Sequence, residues 1–306
     1  MRVIFLGDVV GKAGRLAVKQ FLPELREEHA PDVVLANGEN IAGGIGMTSE
    51  TLDELFAAGV DLVTSGNHVW RHREIFSRLE RDRRIIRPAN YPPGAPGRGW
   101  LVHTLADGRK LAVLNLLGTV FMDPLPCPFR TALRWLEEAP ALSEGAEENG
   151  AGVSAVLAGA READLTSEVV HDGSVSDCGQ ALQDVRVRLV DFHAETTGEK
   201  KTLGWMLDGR VSAVFGTHTH VQTADAQILP RGTAYISDAG MCGVEQSSLG
   251  MDFEPVLTRF LTRMPQPFKP ARGPVSLNGV YVDIDDETGL AREIRAVRSH
   301  CPASQR

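Results

Sequence analysis

Six short apolar runs, each leading into residues that handle metal or phosphate, constrain this chain more than any other feature. Val3-Ile4-Phe5-Leu6 leads into Gly7-Asp8, Val33-Val34-Leu35-Ala36 into Asn37-Gly38-Glu39-Asn40, and Leu62-Val63-Thr64-Ser65 into Gly66-Asn67-His68. Farther along, Val187 to Asp191 with Phe192 leads into His193-Ala194-Glu195, Val211 to Phe215 into Gly216-Thr217-His218-Thr219-His220, and Ala234-Tyr235-Ile236-Ser237 into Asp238-Ala239-Gly240. Short β-branched runs bounded by turn residues read as buried strands. In an α/β sheet the ligand crevice lies beyond the carboxyl ends of such strands. Such a fold can bring Asp8, Glu39, Asn40, Asn67, His68, His193, His218 and His220 together although they are scattered along the sequence. Carboxylate, amide and imidazole in combination suit a divalent metal of intermediate hardness, such as Mn, Fe or Zn.

Between the runs the first part of the chain carries helical signals. Leu16, Ala17, Phe21, Leu22 and Leu25 form an apolar stripe that predicts a helix over 15–29. Thr48 or Ser49 is a natural N-cap for a helix over 48–58, closed by Gly59. The pattern predicts a third helix from Trp70 to Arg84, then a turn-rich stretch over 87–94, and strands over 101–104 and 111–116. Residues 139–183 differ, being rich in Ala, Gly, Ser, Glu and Asp. A long, weakly patterned stretch inside a domain reads as a surface insertion. The expected organisation is a single domain over 1–297 carrying that insertion, with 298–306 as a frayed tail.

At 306 residues the chain is long enough to bury a large core. Its net charge of −8 argues against sequence-independent binding along a nucleic-acid duplex, which relies on Lys and Arg. Aromatic content of 6% argues against an extensive base-stacking platform for single strands. A small anionic substrate remains compatible, because two divalent cations would place about four positive charges at one spot. The four cysteines, Cys127, Cys178, Cys242 and Cys301, form no closely spaced pair, so reduced thiols and a cytoplasmic location are expected. The first apolar run is too short for a signal or membrane segment. The chemistry allows a homo-oligomer without requiring one.

Each motif also has a plainer reading. Asp8 alone could be a turn aspartate. Gly7, Gly11 and Gly14 invite a phosphate loop, but the spacing fails the Walker pattern and Ala13 follows Lys12. Glu39-Asn40 suits a tight turn, and also offers a carboxylate able to bridge two metals beside an amide oxygen able to ligate one. His68 and His72 have helical zinc-pair spacing, but Val69 stands where a zincin needs Glu. His68 therefore reads as an acid–base group and His72 as solvated. In Thr217-His218-Thr219-His220, extended alternation would put both imidazoles on one side. His29, His103, His171 and His300 read as ordinary surface or strand residues. The seven arginines between Arg71 and Arg87 read as a solvated helix face, or as an electrostatic lip for an anionic substrate.

In this order, Gly7-Asp8-Val9-Val10-Gly11, Asn37-Gly38-Glu39-Asn40, Gly66-Asn67-His68, Asp191-Phe192-His193-Ala194-Glu195, Gly216-Thr217-His218-Thr219-His220 and Asp238-Ala239-Gly240 resemble the calcineurin-like metallophosphoesterases, and more closely their YmdB-like bacterial branch. The broad superfamily usually reads Asp-x-His in its first motif and supplies a bridging Asp in its second. Val10 and Glu39 stand at those places here, and both departures are shared with the YmdB-like branch. The resemblance implies a sandwich of β-sheets flanked by helices, with a dinuclear site at the strand ends. It implies one metal held by Asp8, Glu39, Asn40 and His220, a second by Glu39, Asn67, His193 and His218, and His68 as proton donor. The metals would be iron or manganese. The implied activity is hydrolysis of 2′,3′-cyclic nucleotides to 3′-nucleotides by a hydroxide bridging the metals, with a small phosphate ester or cyclic nucleotide as substrate. Two other readings are a broad phosphomonoesterase acting on small metabolites or phosphoproteins, and a metal-bound regulatory or RNA-binding module without turnover. Comparing turnover of a phosphodiester with that of its monoester separates them.

Overall fold

Ile4 and Leu6 of the first strand face helices, and Val3 and Phe5 face a second sheet, which sets the layering of the whole molecule. The computed structural model describes residues 1–137, 139–143 and 181–300. In β1 (Arg2–Leu6), Ile4 and Leu6 pack among residues of α1 (Gly11–His29) and α2 (Ser49–Ala57). Val3 and Phe5 join the other cluster, where the Phe5 and Phe215 rings stack with centroids 4.5 Å apart. Both faces of β1 are thus buried, which explains a continuous apolar run instead of an alternating one.

The first sheet runs β2 (Asp8–Val9), β11 (Met241–Val244), β12 (Val275–Ile284), β1, β3 (Val33–Asn37), β4 (Leu62–Thr64), with β13 (Ala291–His300) paired to β12. The second runs β5 (Trp100–Thr104), β6 (Lys110–Leu117), β7 (Val187–His193), β8 (Ala213–Thr217), β10 (Ala234–Ile236), β9 (Gln227–Ile228). Its outer face is covered by α4 (Pro128–Trp135) and α5 (Thr197–Leu207). β1, β3 and β4 are mutually parallel, as are β6, β7, β8 and β10. The carboxyl ends of β1, β3, β4, β7 and β8 therefore deliver the six motifs' polar residues, joined by the turn after β10.

Several expectations change. The first helix begins at Gly11 instead of 15, because Gly14 packs directly on β11: a Cβ there would lie 2.4 Å from the Cys242 carbonyl oxygen. The third helix, α3, covers only Ile75–Arg81. Residues 67–74 form successive turns instead, with Arg71 N–H donating to the His68 carbonyl and Ile75 N–H to that of His72. Not all seven arginines are solvated. Arg87 is buried, its guanidinium donating to the carbonyls of Pro88, Ala95 and Pro96. His29 is buried too, against the Tyr281 ring.

The chain end departs from a frayed tail as far as it is described. Arg298, Ser299 and His300 pair with Asn278, Leu277 and Ser276 in β13, and 301–306 lie outside the described residues. Most of 139–183 also lies outside them. Its two described ends lie against the core. Leu142 and Leu182 are buried, and the Pro140 and Leu182 carbonyls accept from the buried Arg188 guanidinium. Among the described residues, no helix is long and apolar enough to cross a membrane.

Candidate metal centre

His193 ends β7 with its ring fully buried, and its Nε2 is the point on which the centre converges. Around that atom lie His218 Nδ1 at 3.0 Å, Asn67 Oδ1 at 3.1 Å and Glu39 Oε2 at 3.2 Å. Ligand atoms spaced about 3.0–3.4 Å apart are what a shared ion with bonds of about 2.1 Å requires. Glu39, His193 and His218 each offer one ligand atom, all within 4.8 Å of one another. Beside this group is a second. His220 Nε2 lies 3.3 Å from Asn40 Nδ2 and 3.7 Å from Asp8 Oδ1. Asp8 Oδ1 is buried without a hydrogen-bond partner, and an isolated buried carboxylate oxygen calls for a cation. Glu39 stands between the groups, its Oε1 accepting from Asn40 Nδ2 at 2.8 Å.

Each histidine has its outward nitrogen engaged, which leaves the other free to face inward. Thr217 Oγ1 donates to Asp191 Oδ1 at 2.7 Å, so it accepts from His193 Nδ1 at 2.9 Å. His218 Nε2 meets Glu195 Oε2 at 3.0 Å. His220 Nδ1 meets the Leu249 carbonyl at 3.1 Å. Second nitrogens held by carboxylate, hydroxyl or carbonyl are the usual support of metal-binding imidazoles. Thr217→Val is expected to weaken metal binding about 10–100-fold with the fold retained, and Thr217→Ser to restore it, as read by metal titration.

His218 and His220 do not project by strand alternation, as expected from sequence. β8 stops at Thr217, and both histidines have left-handed backbones, with φ of 93° and 65°. Such strain persists only where the surroundings hold it. Here Asp238 does so, accepting from Thr219 N–H at 3.0 Å and Thr219 Oγ1 at 2.6 Å, while Lys200 Nζ pairs with it at 2.9 Å. Both charged groups are buried. Removing Lys200 would strand the Asp238 charge, at a cost of about 3–5 kcal/mol.

Electrostatics separates the two adjoining imidazoles. Burial alone would push His193 down, but Glu39, Asp8 and Asp191 outweigh it and raise its pKa to about 9. Burial and the neighbouring His193 charge push His218 down to about 3. Burial pushes Glu39 up, yet His193 and His68 hold it well below the usual carboxylate range. Burial likewise raises Asp191 to about 6, despite His193 and the donors Thr64, Thr217 and Asn37.

His68 sits at the rim, about one third exposed. Its N–H donates to Glu39 Oε2 at 3.2 Å and its Nδ1 to Asn40 Oδ1 at 2.9 Å. Gly66 is needed next to it, because a Cβ there would lie 2.3 Å from Glu39 Oε2 and 2.5 Å from His193 Nε2. His72 stays outside the centre, with Nε2 on the Ile45 carbonyl at 3.1 Å.

All eight residues singled out from sequence thus gather at one end of the sandwich. Those that sequence reasoning passed over lie beneath or behind them: Asn37, Thr64, Asp191, Glu195, Thr217 and Lys200. Asp191 was legible, since it precedes His193 by two in a strand and so shares its face. Lys200 carries no such signal.

A mixed α/β sandwich with a cluster of carboxylate, amide and imidazole at its strand ends is the class of protein defined so far. The family model described as YmdB-like protein matches residues 4–148 and 170–297, and the chain belongs to that family. It is 41% identical over 297 residues to the 2′,3′-cyclic-nucleotide 2′-phosphodiesterase of Bacillus subtilis, covering 97% of this chain and 96% of the relative. A crystal structure of a hypothetical protein from Thermus thermophilus superposes with a TM-score of 0.79 at 38% identity, over 99% of this chain and 100% of the other. That of a novel phosphatase from Mycoplasma pneumoniae gives 0.77 at 31% identity, over 98% and 93%.

Proposed function

We propose that this chain is a metal-dependent phosphodiesterase of the calcineurin-like kind, hydrolysing 2′,3′-cyclic nucleotides to 3′-nucleotides. The observation that carries the reading is the inward ring nitrogen of each of three histidines, set around a carboxylate whose two oxygens face separate groups of ligands. The whole-length similarity to a 2′,3′-cyclic-nucleotide 2′-phosphodiesterase supports the substrate class.

Asp8, Glu39, Asn40 and His220 would hold one divalent cation, and Glu39, Asn67, His193 and His218 the other, with iron or manganese the expected metals. When bound, the pair supplies Lewis-acid stabilisation of the phosphate oxygens and lowers the pKa of the attacking water. The chain's own residues do the rest. Asn67, whose Oδ1 lies 3.1 Å from His193 Nε2, would help orient the phosphate oxygens. His68, with Nδ1 committed to Asn40, keeps Nε2 to deliver a proton to the departing 2′ oxygen. Asp191 and Thr217 fix the tautomer of His193 from behind.

Purified, metal-loaded protein given 2′,3′-cyclic AMP should yield 3′-AMP. Release of 2′-AMP, or turnover of phosphomonoesters in preference, would overturn the reading.

Metal uptake should also depend on pH. With its pKa raised to about 9, His193 in the metal-free fold keeps a proton that an ordinary imidazole loses near 6.5. Its contribution to metal-free stability is present below about 6.5 and lost as pH rises through 9. A metal must displace that proton. Calorimetric titration at pH 7.5 in buffers of differing ionisation enthalpy should show about one proton released from His193, and affinity rising towards pH 9. An affinity flat across that range would contradict the ligand assignment.

A further inference from the structure

Phe121 is the most exposed large apolar side chain among the described residues, at 88%. Single exposed apolar residues are ordinary. Phe121 is not, because its backbone is left-handed, with φ of 61°, a strained state for a bulky residue. The surroundings impose it. Gly118 N–H donates to the His193 carbonyl at 2.9 Å, so the segment after β6 starts beside a centre residue. Glu199, buried in the first turn of α5, turns its carboxylate away from its own helix. It accepts from Thr119 N–H at 2.9 Å, Thr119 Oγ1 at 3.2 Å and Val120 N–H at 3.4 Å. Asn90 closes the far end, donating to the Leu117 and Pro126 carbonyls at 2.8 and 3.0 Å. A segment fixed at both ends and in the middle thus holds one apolar ring in water.

The ring's reach is bounded. Three residues span at most about 11 Å, which limits how far Phe121 lies from Gly118 beside the His193 carbonyl. The same segment adjoins the His68 side. Tyr91, next to Asn90, packs edge-on against Trp70 with centroids 5.2 Å apart, and Trp70 follows His68 by two residues. Burial pushes the Tyr91 hydroxyl up to about 12.

We propose that Phe121 is the platform on which the nucleobase of the substrate stacks, presented by the Glu199-anchored segment beside His193. The inference rests on the proposed cyclic-nucleotide activity and deepens it. A flat π-face accepts any base, so the platform favours a nucleoside over an abasic ester without selecting among bases. One ring serves one base, in keeping with a chain poor in aromatic residues.

The test compares two substrates of the metal-loaded enzyme, 2′,3′-cyclic AMP and the base-free methyl riboside 2,3-cyclic phosphate. For Phe121→Ala the ratio of kcat/KM, nucleotide over abasic, should fall about tenfold or more, mainly through KM for the nucleotide. Phe121→Trp should keep the ratio, and Phe121→Leu, apolar but without a π-face, should lose it. An unchanged ratio in Phe121→Ala, or rescue by Leu equal to that by Trp, overturns the platform while leaving the activity standing. Wild-type protein that turns over neither cyclic phosphate overturns the proposed function and this inference with it.

Discussion

Glu39→Gln is expected to lose metal and activity together. The carboxylate is almost fully buried, and its two oxygens face different ligand groups. An amide of the same shape fills the space but brings no charge to balance two dications, and it presents N–H donors where lone pairs are needed. Loss of an outer partner of a metal ligand costs about 10–100-fold, and loss of a carboxylate proposed to bridge two ions should exceed that. The variant also removes the leading charge that keeps His193 protonated, so the His193 pKa should fall from about 9. Elemental analysis and turnover of a cyclic nucleotide read both effects. Full metal occupancy with normal turnover would refute the bridge.

His68→Ala should behave in the opposite way, keeping its metals and losing rate. His68 is bonded to Asn40 and Glu39 from the rim and is not among the proposed metal ligands. Without a proton donor, expulsion of a ribose oxygen should slow about 10²–10⁴-fold. Expulsion of p-nitrophenolate, which leaves without a proton, should slow far less. Equal losses on both leaving groups would make His68 a positioning residue instead.

These two variants probe what was legible in the sequence, and its limits show where physics acts at long range. The strand ends could be read because apolar runs buried on both faces stop abruptly at polar residues, as at Leu6 before Asp8 and Phe192 before His193. The β12–β13 hairpin was not read. Exposure along Ala291–His300 leaves little continuous apolar signal, and pairing with β12 holds this strand at the sheet edge. The backbone at His218 and His220 was misjudged as extended because the strain is imposed from outside, by Asp238 and Lys200, and local propensity cannot report it. α3 was overextended at its far end because the Arg84 carbonyl is taken by Val63 N–H, a bond between segments distant in sequence. Arg87 and Lys200 look like surface charges until their carbonyl and carboxylate partners are seen.

The most direct test of the account is the metal content of active protein, measured by elemental analysis alongside turnover of 2′,3′-cyclic AMP in a chelator titration. About two iron or manganese ions per chain are expected at full activity, with turnover falling as metal is withdrawn and returning when it is restored. Full turnover by protein freed of metal, or with a single ion per chain, would contradict it.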